Sequence, residues 1–302
     1  MKKSAFIIVL LFCFVQLRAQ TTDQKLRRKI ETTIKDFHGD IGIYVKNLNN
    51  NKIVAINADT VFPTASIVKV PILIGIMDKI DKRELQYHQQ LRYKDSLLYA
   101  GVDILGSFKD TEKIELSKVL MLMLTMSDNT ASLWLQSLAG TGTRINQILD
   151  SLGFQITRVN SRTPGREANR TQYGWGQTSP HEIATIFEKI YKGEIISKAA
   201  SDKMLRLLNR SYFDIAAVSQ IPPYATVFTK YGAVDQTRNE VLLVKGTKSN
   251  YVFCILTKNN KDESWQNNNE AWELTRKISS LLWHYFESKD KWKPASDSSK
   301  FD

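Results

Sequence analysis

With 302 residues and 42% hydrophobic content, the chain can bury a sizeable core in one large domain or two smaller ones, which excludes a disordered or low-complexity protein. The formal charge of +11 would suit a nucleic-acid partner, but no recognition-helix pattern or aromatic RNA-binding motif accompanies it. Attraction to anionic envelope polymers or acidic substrates fits the charge better, as does a plain solvated basic surface.

Residues 1–20 place Lys2 and Lys3 before an apolar run from Ala5 to Val15 and close on Leu17-Arg18-Ala19-Gln20. This is the layout of a secretory signal peptide cleaved near Gln20, and the run is too short to span a bilayer. The mature protein is therefore expected outside the cytoplasm, periplasmic or extracellular, with no transmembrane segment. Loss of Lys2, Lys3 and Arg18 leaves 39 basic against 31 acidic residues, a net of +8. Cys13 leaves with the signal, so Cys254 remains alone and no internal disulfide can form. Cys13 as a lipid-anchored residue is the alternative; Leu11-Phe12 before it lacks the small residue such processing prefers.

Asp23 to Phe37 reads as an amphipathic helix, with Leu26, Ile30 and Ile34 four apart. A hairpin follows: Ile41, Ile43 and Tyr44 lead into a strand, Asn49 to Asn51 turn, and Ile53 to Ile56 return. From Ser66 to about Asn209 the apolar period is mostly helical, over Leu116–Met126, Ala131–Leu138, Ile145–Leu152, Pro180–Tyr191 and Ala199–Leu208. Strands resume at Ala225–Thr229, Val241–Val244 and Tyr251–Thr257, and a last helix covers Glu270–Phe286. The expected fold is α/β plus all-α: an antiparallel sheet built from both chain ends with flanking helices, and an inserted helical domain. The boundaries read as sheet domain 21–62 and 210–288, helical domain 63–209, and a charged, Ser-rich tail over 289–302 expected to be disordered.

Three short signals carry the chemistry: Ser66-Ile67-Val68-Lys69, Ser127-Asp128-Asn129 and Lys230-Tyr231-Gly232. A lone S-x-x-K arises by chance about once in such a chain, and Ser288 to Lys291 is treated as that match. Ser66 differs in context, because an apolar helix is expected just after it, over Val68 to Met77. At a helix N-terminus, unpaired N–H groups and the dipole favour a developing oxyanion. Lys69 lies on the same face three residues on, and burial beside Ile67, Val70 and Ile72 would disfavour its ammonium form, helping it to act as a base. Pro71 breaks a local rule, at a cost of about 3 kcal/mol within a helix. Taken alone, each motif has a plain structural explanation: an N-cap serine with a snorkelling lysine, a loop N-cap, and a strand-end lysine.

In combination and in this order, the motifs resemble the class A β-lactamase and penicillin-binding protein superfamily of serine acyltransferases, over nearly the whole mature chain. The separations of 61 residues from Ser66 to Ser127 and 164 to Lys230 are close to that family's spacing. The resemblance implies that Ser66 is the acylated nucleophile, Lys69 its proton partner, Ser127 the donor to the leaving nitrogen and Lys230 a source of positive charge. It also implies that Asn129 holds a substrate amide, that Gly232 permits close approach of the ligand, and that the N–H groups of Ser66 and Ala233 form an oxyanion hole.

Two departures qualify the substrate. The loop from Asn160 to Pro180 offers only Glu167 for the water-activating role, without the family's Glu-x-x-x-Asn spacing, and pairing with Arg162, Arg166 or Arg170 is its structural alternative. Tyr231 replaces the usual Thr or Ser, and Arg238 lies one residue early for a carboxylate-binding arginine. The expected function is β-lactam hydrolysis through an acyl-enzyme. The alternatives are a D,D-peptidase-like or other amidohydrolase with poor β-lactam turnover, and a non-catalytic envelope-binding protein of the same fold. The expected partner is a small-molecule β-lactam or peptidoglycan-like amide, bound by a monomer. No metal or other cofactor is expected: His181-Glu182-Ile183-Ala184-Thr185 begins like H-E-x-x-H but ends in Thr185, and His38, His88 and His284 are scattered.

Overall fold

The computed structural model describes residues 21–99, 101, 103–209 and 211–294, so the signal segment with Cys13, and residues 295–302 of the tail, lie outside the described residues. The elements in chain order are β1 (Thr21–Thr22), α1 (Gln24–Ile34), β2 (Asp40–Asn47), β3 (Lys52–Ile56), β4 (Phe62–Pro63), α2 (Lys69–Asp81), β5 (Gln90–Arg92), β6 (Lys113–Glu115), α3 (Leu116–Thr125) and α4 (Asn129–Leu138). They continue with α5 (Thr141–Ser151), β7 (Arg158–Val159), α6 (Glu167–Tyr173), β8 (Gly176–Thr178), α7 (Pro180–Lys192), α8 (Lys198–Leu208), β9 (Thr226–Val234), β10 (Thr237–Lys245), β11 (Asn250–Lys258) and α9 (Glu270–Phe286).

The main sheet runs β1-β3-β2-β11-β10-β9 and so combines strands from both chain ends, as expected. It is antiparallel except at its edge, where β1 pairs with β3 in parallel. Period-2 alternation sends Val241, Leu243, Val252, Cys254 and Leu256 into one apolar core beneath α2 and the middle helices, and Leu242, Val244, Phe253 and Ile255 into another beneath α1 and α9. A sheet covered on both faces explains why β10 and β11 read as continuous apolar runs rather than alternating ones. Local caps set the helix starts: Asp23 accepts the Leu26 N–H at 3.0 Å, Ser179 precedes Pro180 and caps α7, and the Asn269 side chain caps α9.

Within the helical part, two small sheets were not anticipated, β4-β8-β7 and β5-β6, nor was α6. Their strands hold two or three residues, too few for a period to register. The last helix matches its expected bounds of Glu270–Phe286. Beyond it, residues 289–294 form no helix or strand, and Asp290 is held by the Tyr224 hydroxyl and the Trp292 N–H.

Candidate active site

Ser66 sits in a 3-10 turn, Ala65–Val68, that runs directly into α2. The α-helix proper begins at Lys69, so Pro71 falls in its first turn, where a proline N–H would have no intrahelical partner anyway. The cost expected for Pro71 is therefore not incurred. Strain appears instead in the backbone beside the functional side chains, with positive φ at Ala65 (45°) and Ser127 (57°).

Ser127 and Asp128 lie between α3 and α4, and Asn129 opens α4. Asp128 is fully buried and N-caps α4, accepting the Ala131 N–H at 2.7 Å through one oxygen and the Ile104 and Leu105 N–H groups at 2.6 and 2.9 Å through the other. The middle residue thus fixes the segment while its neighbours turn toward Lys69. The Lys69 amine lies 3.0 Å from Ser66 Oγ, 2.9 Å from Ser127 Oγ, 2.6 Å from the Ser127 carbonyl and 3.0 Å from Asn129 Oδ1.

Lys230-Tyr231-Gly232 lies inside β9 rather than after a strand, because the ladder with β10 continues to Val234. Lys230 Nζ reaches Ser127 Oγ at 3.2 Å and the Tyr231 carbonyl at 2.8 Å, so both lysines converge on one hydroxyl. Gly232 is required for contact between the strand and the turn: a Cβ there would stand 2.8 Å from Ser66 N and 2.9 Å from the Thr64 carbonyl. That close approach brings Ala233 and Ser66 to the same end of the cleft, which both residues line.

Both lysines are 1% exposed. Burial, and then the Lys230 cation, hold the Lys69 amine well below the ordinary lysine range, partly opposed by the Asp128 carboxylate. Burial pulls Lys230 down to about 7 against the attraction of Glu240. Glu240, fully buried, is pushed up to about 7 despite hydrogen bonds from the Ala217 N–H (2.7 Å) and the Thr229 hydroxyl (3.1 Å). An uncharged Lys69 can accept the Ser66 proton, and Ser127 can pass a proton between the two amines and a group in the cleft.

Three expected site residues stand apart from this cluster. Glu167 is exposed at the start of α6, where its carboxylate accepts the Gly165 N–H at 3.1 Å; it is not among the cleft-lining residues, nor in any ion pair among the described residues. The loop is braced instead by Arg166, which donates to Asn160 Oδ1 at 2.9 Å and Gln177 Oε1 at 2.8 Å. Tyr231 is turned to the opposite face of β9 from Lys230, buried beside Phe213 and Trp272. Arg238, within β10 rather than approaching it, is 1% exposed, and its guanidinium donates to the carbonyls of Asp235, Thr237, Glu263 and Ser264. With both terminal nitrogens so occupied and Nε buried out of reach, it is not placed to clamp a substrate carboxylate.

The cleft over Ser66 has a volume of about 830 Å³. Asn129, Ala233, Tyr99, Arg170 and Trp175 line it, together with a polar rim of Asp235, Gln236, Lys258, Asn259 and Glu263. Only the first two were identified from sequence as site residues; Arg170 comes from the short helix α6, and the others from loops and strand ends without a motif. Among the described residues, no cluster of His, Cys, Asp and Glu is arranged to hold a metal ion.

Half-buried Ser66 and buried Lys69, Ser127 and Lys230 are joined by hydrogen bonds at the seam between the sheet and the helical block, a fold and arrangement of the serine hydrolase class. The chain belongs to the beta-lactamase enzyme family, whose description matches residues 25–286. It is 22% identical over 295 residues to beta-lactamase VEB-1 of Pseudomonas aeruginosa, covering 94% of this chain and 97% of that protein. Its fold superposes with a TM-score of 0.79 on a PBP-A variant solved as an acyl-enzyme complex with penicillin G, at 25% identity over 90% of this chain and all of that one. A class A beta-lactamase from Mycobacterium abscessus gives a TM-score of 0.77 at 19% identity, covering 87% and 99% of the two chains.

Proposed function

We propose that the protein is an exported serine hydrolase that opens β-lactam amides through an ester at Ser66. The observation that carries this reading is the placement of the Lys69 amine, within 3.0 Å of both Ser66 Oγ and Ser127 Oγ, where burial disfavours its ammonium form. Ser66 Oγ attacks the carbonyl carbon and its proton passes to Lys69. Developing charge on the carbonyl oxygen is met by the N–H groups of Ser66 and Ala233, each such donor typically contributing about 3 kcal/mol. As the C–N bond breaks, Ser127 donates its proton to the leaving nitrogen, with Lys230 beside it at 3.2 Å keeping the hydroxyl supplied. Water then cleaves the ester. Export rests on the reading of residues 1–20, and among the described residues no helix is long and apolar enough to cross a membrane.

The position of Glu167, outside the cleft and bonded to its own loop, favours a second reading of the last step. Without a carboxylate to activate water, the ester persists, and the protein behaves as a D,D-peptidase-like amidohydrolase with poor β-lactam turnover. Intact-mass measurement after mixing with benzylpenicillin, alongside turnover of a chromogenic cephalosporin, separates the readings. An adduct at Ser66 with steady turnover supports β-lactam hydrolysis. A lasting stoichiometric adduct supports the second reading, and the absence of both adduct and turnover defeats both.

A further inference from the structure

The layer of α1 and α9 covers the face of the main sheet opposite the one that carries Lys230, since Lys230 pairs with Val241 and Val241 joins the core beneath α2. Between these two helices runs a groove of about 610 Å³ lined by Lys25, Lys29, Leu281, His284, Tyr285 and Ser288. Leu281 and Tyr285 are half-buried on the core and form an apolar floor, while Lys25 and Lys29, one helical turn apart on α1, are exposed. The floor is held in place: the Tyr285 hydroxyl donates to the Asp23 carboxylate at 3.0 Å, and His284 Nδ1 donates to the Ser280 carbonyl at 2.8 Å.

The charges around this groove differ in their partners. The acids beside its residues in the chain are engaged: Asp23 also accepts the Leu26 N–H at 3.0 Å, Glu287 accepts the Lys248 N–H at 2.9 Å and the Ser249 N–H at 3.0 Å, and Asp290 accepts from the Tyr224 hydroxyl and the Trp292 N–H. The cations are not, for among the described residues Lys25, Lys29, Lys289, Lys291 and Lys293 make no ion pair or side-chain hydrogen bond. Trp292, half-buried, stands between two of them. Free ammonium groups over an apolar floor, with an indole flanked by lysines, match a surface that offers both phosphate anions and an apolar layer; a soluble polyanion would use the lysines and leave the floor and the indole idle. We propose that the face formed by α1, α9 and residues 289–293 docks on a bilayer of anionic phospholipid. The lysines meet headgroup phosphates, and Trp292 and the groove floor meet the boundary between headgroups and acyl chains. The cluster around Lys230 lies on the other side of the sheet, so docking leaves the cleft open to solvent. This role is independent of how the ester at Ser66 resolves.

The test is co-sedimentation of the exported form, from Gln20 onward, with vesicles of equal parts phosphatidylglycerol and phosphatidylcholine, because the apolar run of residues 5–15 would bind lipid by itself. The mixed vesicles should carry the protein down, vesicles of phosphatidylcholine alone should not, and added salt should release it. Each lysine near an anionic surface contributes about fivefold, so the double substitution Lys25→Gln and Lys29→Gln should weaken binding at least tenfold. Trp292→Ala should weaken it several-fold and leave the salt dependence unchanged. All three positions are exposed or half-buried, and melting curves establish that the variants are folded. No sedimentation with the mixed vesicles, equal capture by phosphatidylcholine alone, or undiminished binding in the lysine variant would overturn the proposal. Tight binding of soluble polyphosphate, together with vesicle binding indifferent to Trp292→Ala, would overturn it too, by making this face a site for soluble polyanions.

Discussion

The two faces of β9 and its neighbour β10 are one residue apart in sequence and opposite in purpose. On one face Lys230 reaches Ser127 and, through it, Lys69, in a polar cluster whose donors and acceptors meet at the cleft. On the other, Tyr231, Arg238 and Glu240 are enclosed by Phe213, Trp272 and the backbone of Ala217, with polar groups directed at protein rather than at solvent. Both faces carry buried charge; only the first leaves a hydroxyl opposite open space. The difference shows that a charged residue near a catalytic motif is a site residue only if the strand period turns it the right way.

Substitutions that separate chemistry from stability test this contrast. Ser66→Ala removes the nucleophile, and no penicillin adduct should form by intact mass while the melting temperature stays near the native value. Lys69→Met should slow acylation by about 10²- to 10⁴-fold, the usual worth of a positioned base, measured by stopped-flow with a chromogenic cephalosporin. The pH profile of acylation should fall on the alkaline side near 7, as Lys230 loses its proton, and that limb should vanish in Lys230→Met together with most of the rate.

On the opposite face the effect is on folding. Arg238→Met leaves four carbonyls without their donor and should cost on the order of 3 kcal/mol in denaturant unfolding. Glu240 gives a signed prediction. Folded, it keeps its proton up to about 7, whereas the unfolded carboxyl loses it near 4.5, so its contribution to stability falls as pH rises between those values. Glu240→Gln should flatten that slope, with a gain over the native protein growing to about 3 kcal/mol by pH 7. The smallest effect should come from Glu167→Gln: with its carboxylate outside the cleft, the lifetime of the penicillin adduct should change less than twofold. A tenfold longer lifetime would return Glu167 to the catalytic machinery.

Much of the framework was legible in the chain. The four-residue spacing of Leu26, Ile30 and Ile34 and the apolar runs of β10 and β11 announced the layers on both sides of the sheet. Ser66, Lys69, Ser127 and Lys230 were legible because three motifs stood in register, and the structure does bring their side chains together. Glu167 and Arg238 were chosen by their places in a sequence pattern, which carries no information on which way a loop carboxylate or a strand guanidinium points. Tyr99 and Trp175 had no signal at all, since an aromatic in a loop has neither period nor motif.

What the sequence determined by itself was the set of local rules: where helices start on Asp, Ser and Asn caps, which segments alternate, and which residues can perform acyl transfer. Only the tertiary structure decided that a 3-10 turn would relieve Pro71, that Gly232 would let β9 pass against Ser66 N, and that burial would lower two lysines which the chain alone would leave charged. Those outcomes depend on distances between segments far apart in the chain. Proton affinity and close approach follow from what surrounds a group in space, and local propensity does not encode that.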